Sequence, residues 1–598
     1  MNILLTTLNS KFIHSNLAIK YLKAMIKDQV DTSVREFTIN EDIEEILWEI
    51  TKGGYDLVAF SCYIWNIEKT LKIAENLKVV NPKVKILFGG PEVSYNSKEL
   101  LDKYAFLDFI IAGEGEEAIF NLAKALSESN YEALEKIGNL YFRNKRSLLL
   151  DNDAIKMIVT DLSIIPPVYL DVTKKDIENK IVYYETSRGC TFNCAYCLSA
   201  ATRGVRHFPM ERVKQELSYL VSLGAKQIKF VDRTFNSDEE KAVEIITFIK
   251  EIDDGNINFH FEITAYLLQE RVLKLVETAR KGLFQFEIGV QSTNPKTLKA
   301  VNRADKFKEL SKNVIEIKGY GNIHQHLDLI AGLPYEDIDT FKNSFNDVFS
   351  LRPDALQLGF LKILKGSPIE KSVQMHQYKY RTYPPYEVLN NAYITYSEIM
   401  ELKEVEHVLD RFYNTGRFKY SIGYIYDIIY DQNGYKLFEE LKNIVKSNEV
   451  DIVKKEEEFR AMKFLGEKSV SFPKFELDFF IELLKIDYLN MGRNPNMPLF
   501  LDTGVEIYQN GKLKEFIFDL TRDEESLNDL GFLEGTHPKE AFKKISWSLF
   551  KYDIIEYINK GNVTKITDEK NVALIVINYD SKRNHNGDFS MIRRFYEI

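Results

Sequence analysis

Short apolar runs alternate with stretches of helical periodicity in two successive series, and nothing else in the chain restricts its fold as much. In the first series the apolar runs are residues 3–7, 57–61, 84–88 and 109–112, with helical spacing over 17–27 and 67–79 between them. Strands separated by helices pair in parallel, because a parallel connection needs a crossover long enough to hold a helix. Residues 1–150 are therefore expected to form a doubly wound, Rossmann-like sheet. Ligands of such sheets bind at the carboxyl ends of the strands. Those ends are followed here by Thr7-Leu8-Asn9, Ser61-Cys62-Tyr63, Gly89-Gly90-Pro91-Glu92 and Gly113-Glu114-Gly115-Glu116.

The second series has apolar runs at 181–186, 227–231, 258–264, 285–290, 324–331 and 355–360, with helical spacing over 210–223, 239–252, 267–281 and 338–350. Six strands with intervening helices predict a partial (β/α)6 TIM barrel over 176–378, open at one side. Between the two series, residues 151–175 carry Pro166-Pro167 and read as a linker, since consecutive prolines favour extended backbone. Residues 379–598 change character to tyrosine- and charge-rich sequence. Helical spacing at 386–403 and 434–446 is followed by strand-like runs at 513–519 and 572–579, giving a third, mixed but mainly helical domain. The class is α/β overall, and 598 residues exceed what one core holds.

A net charge of -10 and a pI near 5.7 give no general attraction to a polyphosphate, so nucleic acid is not the expected partner. No run approaches the roughly 18 apolar residues of a membrane span, and the apolar stretch at the start lacks the basic flank of a signal peptide. A cytoplasmic protein is expected. Only four cysteines occur, and three of them, Cys190, Cys194 and Cys197, fall within eight positions. That distribution does not suit a disulfide framework and does suit one metal site in a reducing compartment.

The three cysteines lie in ETSRGCTFNCAYC, residues 185–197, a C-x-x-x-C-x-x-C loop just after an expected strand. Three thiolates can hold three irons of a cubane and leave the fourth open, whereas structural zinc takes four ligands. This motif resembles that of the radical S-adenosylmethionine (SAM) superfamily. The resemblance implies a 4Fe-4S cluster whose open iron chelates SAM, and reductive cleavage to a 5'-deoxyadenosyl radical that abstracts a substrate hydrogen. Tyr196 occupies the aromatic position set beside adenine. The barrel is similar to that of oxygen-independent coproporphyrinogen oxidases in its spacing from Tyr184 through the cysteines to Asp328. On that likeness Tyr184 would contact SAM, and Glu262, Gln291, Arg303 and Asp328 would meet its amino acid and ribose ends, with Arg303 on the carboxylate. The family's glycine-rich turn after the second barrel strand is replaced by Val231-Asp232-Arg233-Thr234-Phe235-Asn236, where Asp232 and Thr234 are candidate substitutes. His324 and His326 alternate with Asp328 on one strand face, an H-x-H pattern better read as structural than as a hydrolase metal site.

Residues 60–94 followed by Gly113-Glu114-Gly115-Glu116 resemble the cobalamin-binding domain fused to many radical SAM enzymes. In that likeness Gly89 and Gly90 let a bulky ligand approach the backbone, Ser61, Glu114 and Gly115 make contacts at the turns, and Tyr63 and Trp65 form walls. The D-x-H-x-x-G motif that supplies a lower cobalt ligand is absent, and His14, the one histidine of the first 150 residues, reads as structural. Residues from about 380 resemble an uncharacterised extension of a subset of this family, most distinctively in Tyr383-Pro384-Pro385-Tyr386-Glu387-Val388-Leu389 and Asp410-Arg411-Phe412-Tyr413-Asn414-Thr415-Gly416. These aromatics could line a pocket or pack between domains.

The expected function is a cobalamin-dependent radical SAM methyltransferase acting on a small molecule, reduced by a donor such as flavodoxin or ferredoxin. A radical cyclase or rearrangement enzyme is the alternative within the superfamily. A non-catalytic iron-sulfur carrier or redox sensor is the alternative outside it, and is disfavoured because carriers usually ligate every iron.

Overall fold

A computed structural model of the chain describes residues 1–143, 149–151, 158–201, 204–448, 450–492, 497–505, 511–566, 571–579 and 589–597. The expected linker lies partly outside these residues. The N-terminal sheet has seven strands in the order β2-β1-β3-β4-β5-β6-β7, namely β1 Asn2–Asn9, β2 Asp31–Thr38, β3 Leu57–Ser61, β4 Lys85–Gly89, β5 Phe109–Ile111, β6 Leu140–Arg143 and β7 Leu149–Asp151. Strands β1 to β5 run parallel, and β6 and β7 return antiparallel. β1 is an interior strand and nearly all buried, which is why it reads as an apolar run broken only by Thr6-Thr7. β2 escapes a reading by hydrophobicity: it is an edge strand, Asp-Thr-Ser-Val-Arg-Glu-Phe-Thr, with only Phe37 buried. The 2-1-3 order puts a topological switch point between β1 and β3, at Asn9 and Ser61.

The second sheet has six strands in the order β15-β14-β13-β12-β11-β8, with β8 Val182–Tyr184, β11 Gln227–Phe230, β12 Asn258–Ile263, β13 Phe284–Gln291, β14 His324–Ala331 and β15 Ala355–Phe360. The register from β8 through β11 and β12 to β13 is parallel throughout, as a barrel wall requires. β13 alternates buried and half-buried residues along its length, so Phe284, Phe286, Ile288 and Val290 pack toward the helices while Gln285, Glu287, Gly289 and Gln291 face the other way. Between β8 and β11 the chain forms a short hairpin, β9 Ser187–Cys190 and β10 Gly204–His207.

The chain divides into two compact units. The first holds residues 1–324, 330–337 and 359–396; the second holds 325–329, 338–358 and 397–598. In the second, helices Tyr396–Phe412, Lys419–Ile428, Gly434–Ser447, Lys455–Lys468 and Leu477–Leu489 precede an antiparallel sheet of Ile545–Phe550, Asn571–Asn578 and Ser590–Glu597. Two sequence expectations fail here. Residues 513–519 form part of the helix Gly511–Leu520, because Leu513 and Ile517 stand one turn apart and both are buried. Helix does not begin at 386: Val388–Asn390 is a strand paired with Lys379–Tyr380, and the helix starts at Tyr396. The motif around Asn414 is packing, since Asn414 Nδ2 donates to the Leu356 carbonyl at 2.9 Å and its Oδ1 accepts from Leu356 N–H at 2.9 Å. Among the described residues no helix is long and apolar enough to cross a membrane.

Candidate active site

The loop with the three cysteines is held from below and behind. Asp232, at the end of β11, accepts from Thr186 N–H at 3.0 Å, Thr186 Oγ1 at 2.5 Å and Ser187 Oγ at 2.5 Å, and so fixes where the chain leaves β8. In the β9–β10 hairpin Cys190 faces Gly204, and Gly189 has φ +94°. A Cβ on Gly189 would collide with the Gly204 carbonyl, so only glycine fits before the first cysteine. Behind the loop, Ala195 packs with Val301, Leu333, Leu361, Ile363, Ile369, Tyr378 and Val388. Its N–H donates to Val301 O at 2.9 Å, and its carbonyl accepts from Ile369 N–H at 2.8 Å.

Each sulfur has a donor aimed at it. Phe192 N–H points at Cys190 Sγ (3.4 Å), Ser199 N–H at Cys197 Sγ (3.4 Å) and Arg303 Nη1 at Cys194 Sγ (3.8 Å). Thiolate sulfur is the form that binds iron, and these donors fix where each sulfur stands. Among the described residues no set of three or more His, Cys, Asp or Glu side chains converges on a single ion. Cubane ligands need not converge in that way, because each holds a different iron. The residues present therefore fit a cluster better than one zinc ion.

The candidates for SAM fall into three groups. Tyr196, Gln291 and Arg303 come together. Arg303 donates to Tyr196 Oη at 3.1 Å and to the Gly289 carbonyl, while Gln291 has φ +74° and a buried Oε1 without a hydrogen-bond partner. The guanidinium expected to meet a carboxylate is thus engaged by protein acceptors. Burial pushes the Tyr196 hydroxyl pKa up, against the effect of Arg303. Glu262, on β12, is half-buried, and burial raises its carboxyl with Glu287 adding to the effect. Asp328 belongs to the second unit, where its Oδ1 lies 3.4 Å from His326 Nε2.

Tyr184 and Asp232 are corrections. Tyr184 is 2% exposed, packed tilted against Tyr169 and edge-on against Phe230, with its hydroxyl donating to Glu216 at 3.0 Å: it is core. Asp232 is 1% exposed and fully used by Thr186 and Ser187. Thr234 keeps a place in the site, its Oγ1 lying 3.7 Å from Cys190 Sγ. Replacing Asp232 by Ala leaves buried donors unsatisfied and should cost about 2–4 kcal/mol. A lowered Tm and loss of cluster uptake in the same variant are expected. An unchanged Tm would show that the loop is held elsewhere.

Above the loop lies a cavity of about 910 Å³, at the upper end of ligand sites. It runs from the N-terminal turns to the cysteine loop within the first unit: Ser61, Tyr63, Trp65, Gly89, Gly90, Glu114 and Gly115 line it together with Ser187, Gly189, Leu198 and Ser199. Two expectations change, at Gly90 and Glu114. Gly90, φ +106°, is glycine because a Cβ would stand 2.6 Å from the Cys62 carbonyl, not to admit a ligand. Gly89 meets only the Ile111 carbonyl, at 3.6 Å, and does face open space. Glu114 is not free to bind a cofactor, since both oxygens accept from Arg206 (2.8 and 2.6 Å) and one from Val159 N–H (2.8 Å), which holds its carboxyl below the ordinary range despite burial. Tyr63 and Trp65 stack on each other at 4.4 Å, and Trp65 remains 46% exposed as a wall. His14 is occupied by the Tyr183 hydroxyl at 2.7 Å.

Sequence reasoning missed the charged frame of this cavity. Arg188 bridges Glu116 (2.6 Å) and Glu185 (3.0 Å), and burial pushes the Glu185 carboxyl up to about 7. Lys365 pairs with Glu92 at 3.1 Å, and Tyr386 also donates to Glu92. Arg188 sits inside the cysteine motif and Glu92 in a quoted turn, but nothing local marks partners 72 or 273 positions away.

With this geometry in place, three family models match successive parts of the chain. The B12-binding domain family matches residues 3–123, the radical SAM superfamily 184–348, and a family described as a protein of unknown function, DUF4080, 374–574. The chain joins a B12-binding domain to a radical SAM domain. It is an enzyme; the radical SAM domain entails a 4Fe-4S cluster and SAM, and the B12-binding domain entails cobalamin. An uncharacterized methyltransferase of Pyrococcus horikoshii is 26% identical over 333 residues, 54% of this chain and 70% of that one. The cobalamin-dependent radical SAM methyltransferase TokK of Streptomyces tokunonensis is 24% identical over 344 residues, 55% of this chain and 50% of that protein. The chain thus spans about half the length of TokK. The solved structure of the cobalamin-dependent SAM radical enzyme OxsB, with aqua-cobalamin and SAM bound, matches in fold with TM-score 0.59 at 14% identity, covering 90% of this chain and 83% of that one.

Proposed function

We propose that the protein is a cobalamin-dependent radical SAM methyltransferase acting on a small molecule. The observation that carries this is the single cavity that reaches both the cobalamin-type turns of the first sheet and the cysteine loop of the barrel. When bound, the cluster and SAM would supply a reductively formed 5'-deoxyadenosyl radical, and cobalamin a transferable methyl group. Cys190, Cys194 and Cys197 hold the cluster, with the Phe192, Arg303 and Ser199 donors directed at their sulfurs. Arg303 also positions Tyr196 beside the cluster loop, and Gln291 offers its free Oε1 to SAM. The cobalamin face is formed by Ser61, Gly89, Tyr63 and Trp65. Glu185, with a carboxyl near 7, can hold or release a proton at neutral pH. The reducing electron comes from a small redox protein of the flavodoxin or ferredoxin kind.

Anaerobic purification followed by iron, sulfide and cobalamin analysis tests the cofactors first. With substrate present, S-adenosylhomocysteine and 5'-deoxyadenosine should rise together with methylated product, because one SAM supplies the methyl and another the radical. Protein that carries the cluster and makes 5'-deoxyadenosine but never takes up cobalamin would instead be a cobalamin-free radical enzyme.

A further inference from the structure

The cations of the cavity are accounted for one by one. Arg188, Arg206, Arg233 and Lys365 line it. Arg188 lies against Glu116 and Glu185, Arg206 against Glu114, and Lys365 against Glu92. Arg233 alone of the four, among the described residues, has no carboxylate within ion-pair distance, and its side chain is exposed; the Glu262 carboxylate feels its charge only from beyond that distance. Its backbone is fixed all the same. Asp232 before it is locked by Thr186 and Ser187, and the Arg233 carbonyl accepts from Thr234 Oγ1 at 2.7 Å. The residue stands at the carboxyl end of β11, where barrels place their ligand contacts.

An unpaired guanidinium is inexpensive while water fills the cavity. Cofactors and substrate displace that water, and a charge left without a partner there is costly. An anion on what binds supplies the close partner that Arg233 lacks, with Glu262 acting only from a distance. We propose that Arg233 is the oxyanion-binding residue of this cavity and that the substrate presents a carboxylate or phosphate group to it. This rests on the reading of the cavity as the active site and names the class of molecule that enters it. A planar fork of N–H donors on a rigid turn suits either group, which it can grip with two hydrogen bonds.

The test compares wild-type holoenzyme with Arg233→Gln and Arg233→Lys, titrated calorimetrically with inorganic phosphate and separately with acetate in a buffer free of other oxyanions. Arg233 makes no bond that the fold needs, so both variants should keep the wild-type Tm. Saturable binding of one or both anions is expected in the wild type. Affinity should fall by about tenfold or more in Arg233→Gln, the loss of a charge-assisted hydrogen bond, and recover in part in Arg233→Lys. SAM affinity and cobalamin content should not change. Absence of anion binding in the wild type, or equal binding in Arg233→Gln, overturns the proposal. A drop in SAM affinity would assign the arginine to the carboxylate of SAM, and a drop in cobalamin content to the phosphate of that cofactor; either also overturns it. A preparation that never acquires cobalamin defeats the methyltransferase reading separately, and the anion titration on the cluster-loaded protein then keeps the same criteria.

Discussion

Replacing Cys190, Cys194 or Cys197 by Ala should abolish the intact cluster, whereas Cys62→Ala should leave iron and sulfide content at the wild-type level. The three loop sulfurs each have a directed donor, and each would bind a different iron, so loss of one leaves a cluster iron without its protein ligand. Cys62 is of another kind. It is fully buried in the N-terminal core, its thiol pKa is pushed up by burial, and its Sγ lies 3.6 Å from the Phe60 carbonyl. It behaves as a small apolar residue, and its replacement costs about 1 kcal/mol of packing. Iron and sulfide quantification with electron paramagnetic resonance of the reduced proteins separates the two classes. A full complement of iron in the triple variant would refute the assignment.

Two adjacent glycines should respond in opposite ways. Gly89 has ordinary backbone torsions and room for a Cβ, but that room belongs to the cavity. Gly89→Val should therefore fold normally and weaken cobalamin uptake by at least about tenfold, or 1.4 kcal/mol. Gly90 has φ +106° and lies under the Cys62 carbonyl, so Gly90→Ala should lower stability by about 1–3 kcal/mol through backbone strain before any ligand is added. Thermal melts and the visible spectrum of bound cobalamin, measured on both variants, give the two readouts. Gly89→Val that binds cobalamin as the wild type does would move the cofactor away from this sheet edge.

The position of strand ends was legible wherever one face or both faces of an element are buried. β3, β14 and β15 lie where apolar spacing put them, since β3 meets core over its whole run and β14 buries one full face, while most of β15 is buried at its start. β2 was missed and residues 513–519 were misread for the converse reason: an edge strand buries too little to show an apolar pattern, and a short amphipathic run is ambiguous until its partner is known. In the site, chemistry-bearing residue types were legible, and their partners were not. Glu114 and Asp232 looked like ligand contacts because both stand at strand ends, yet each is consumed by protein donors 92 and about 46 positions away.

By itself the sequence determined the two α/β series, the cysteine loop with its obligatory glycine, and hence the kind of cluster the chain can carry, because spacing over a few residues dictates which side chains share a loop or a face. Only the tertiary structure decided which charges are spent. The pairing of Glu114 with Arg206, of Glu92 with Lys365 and of Arg188 with Glu116 depends on how the first sheet packs against the barrel, and so does the isolation of Arg233 in the cavity between them. A side chain's charge is written in one residue, but whether it is neutralised is settled by distances of a few ångströms between segments far apart in the chain.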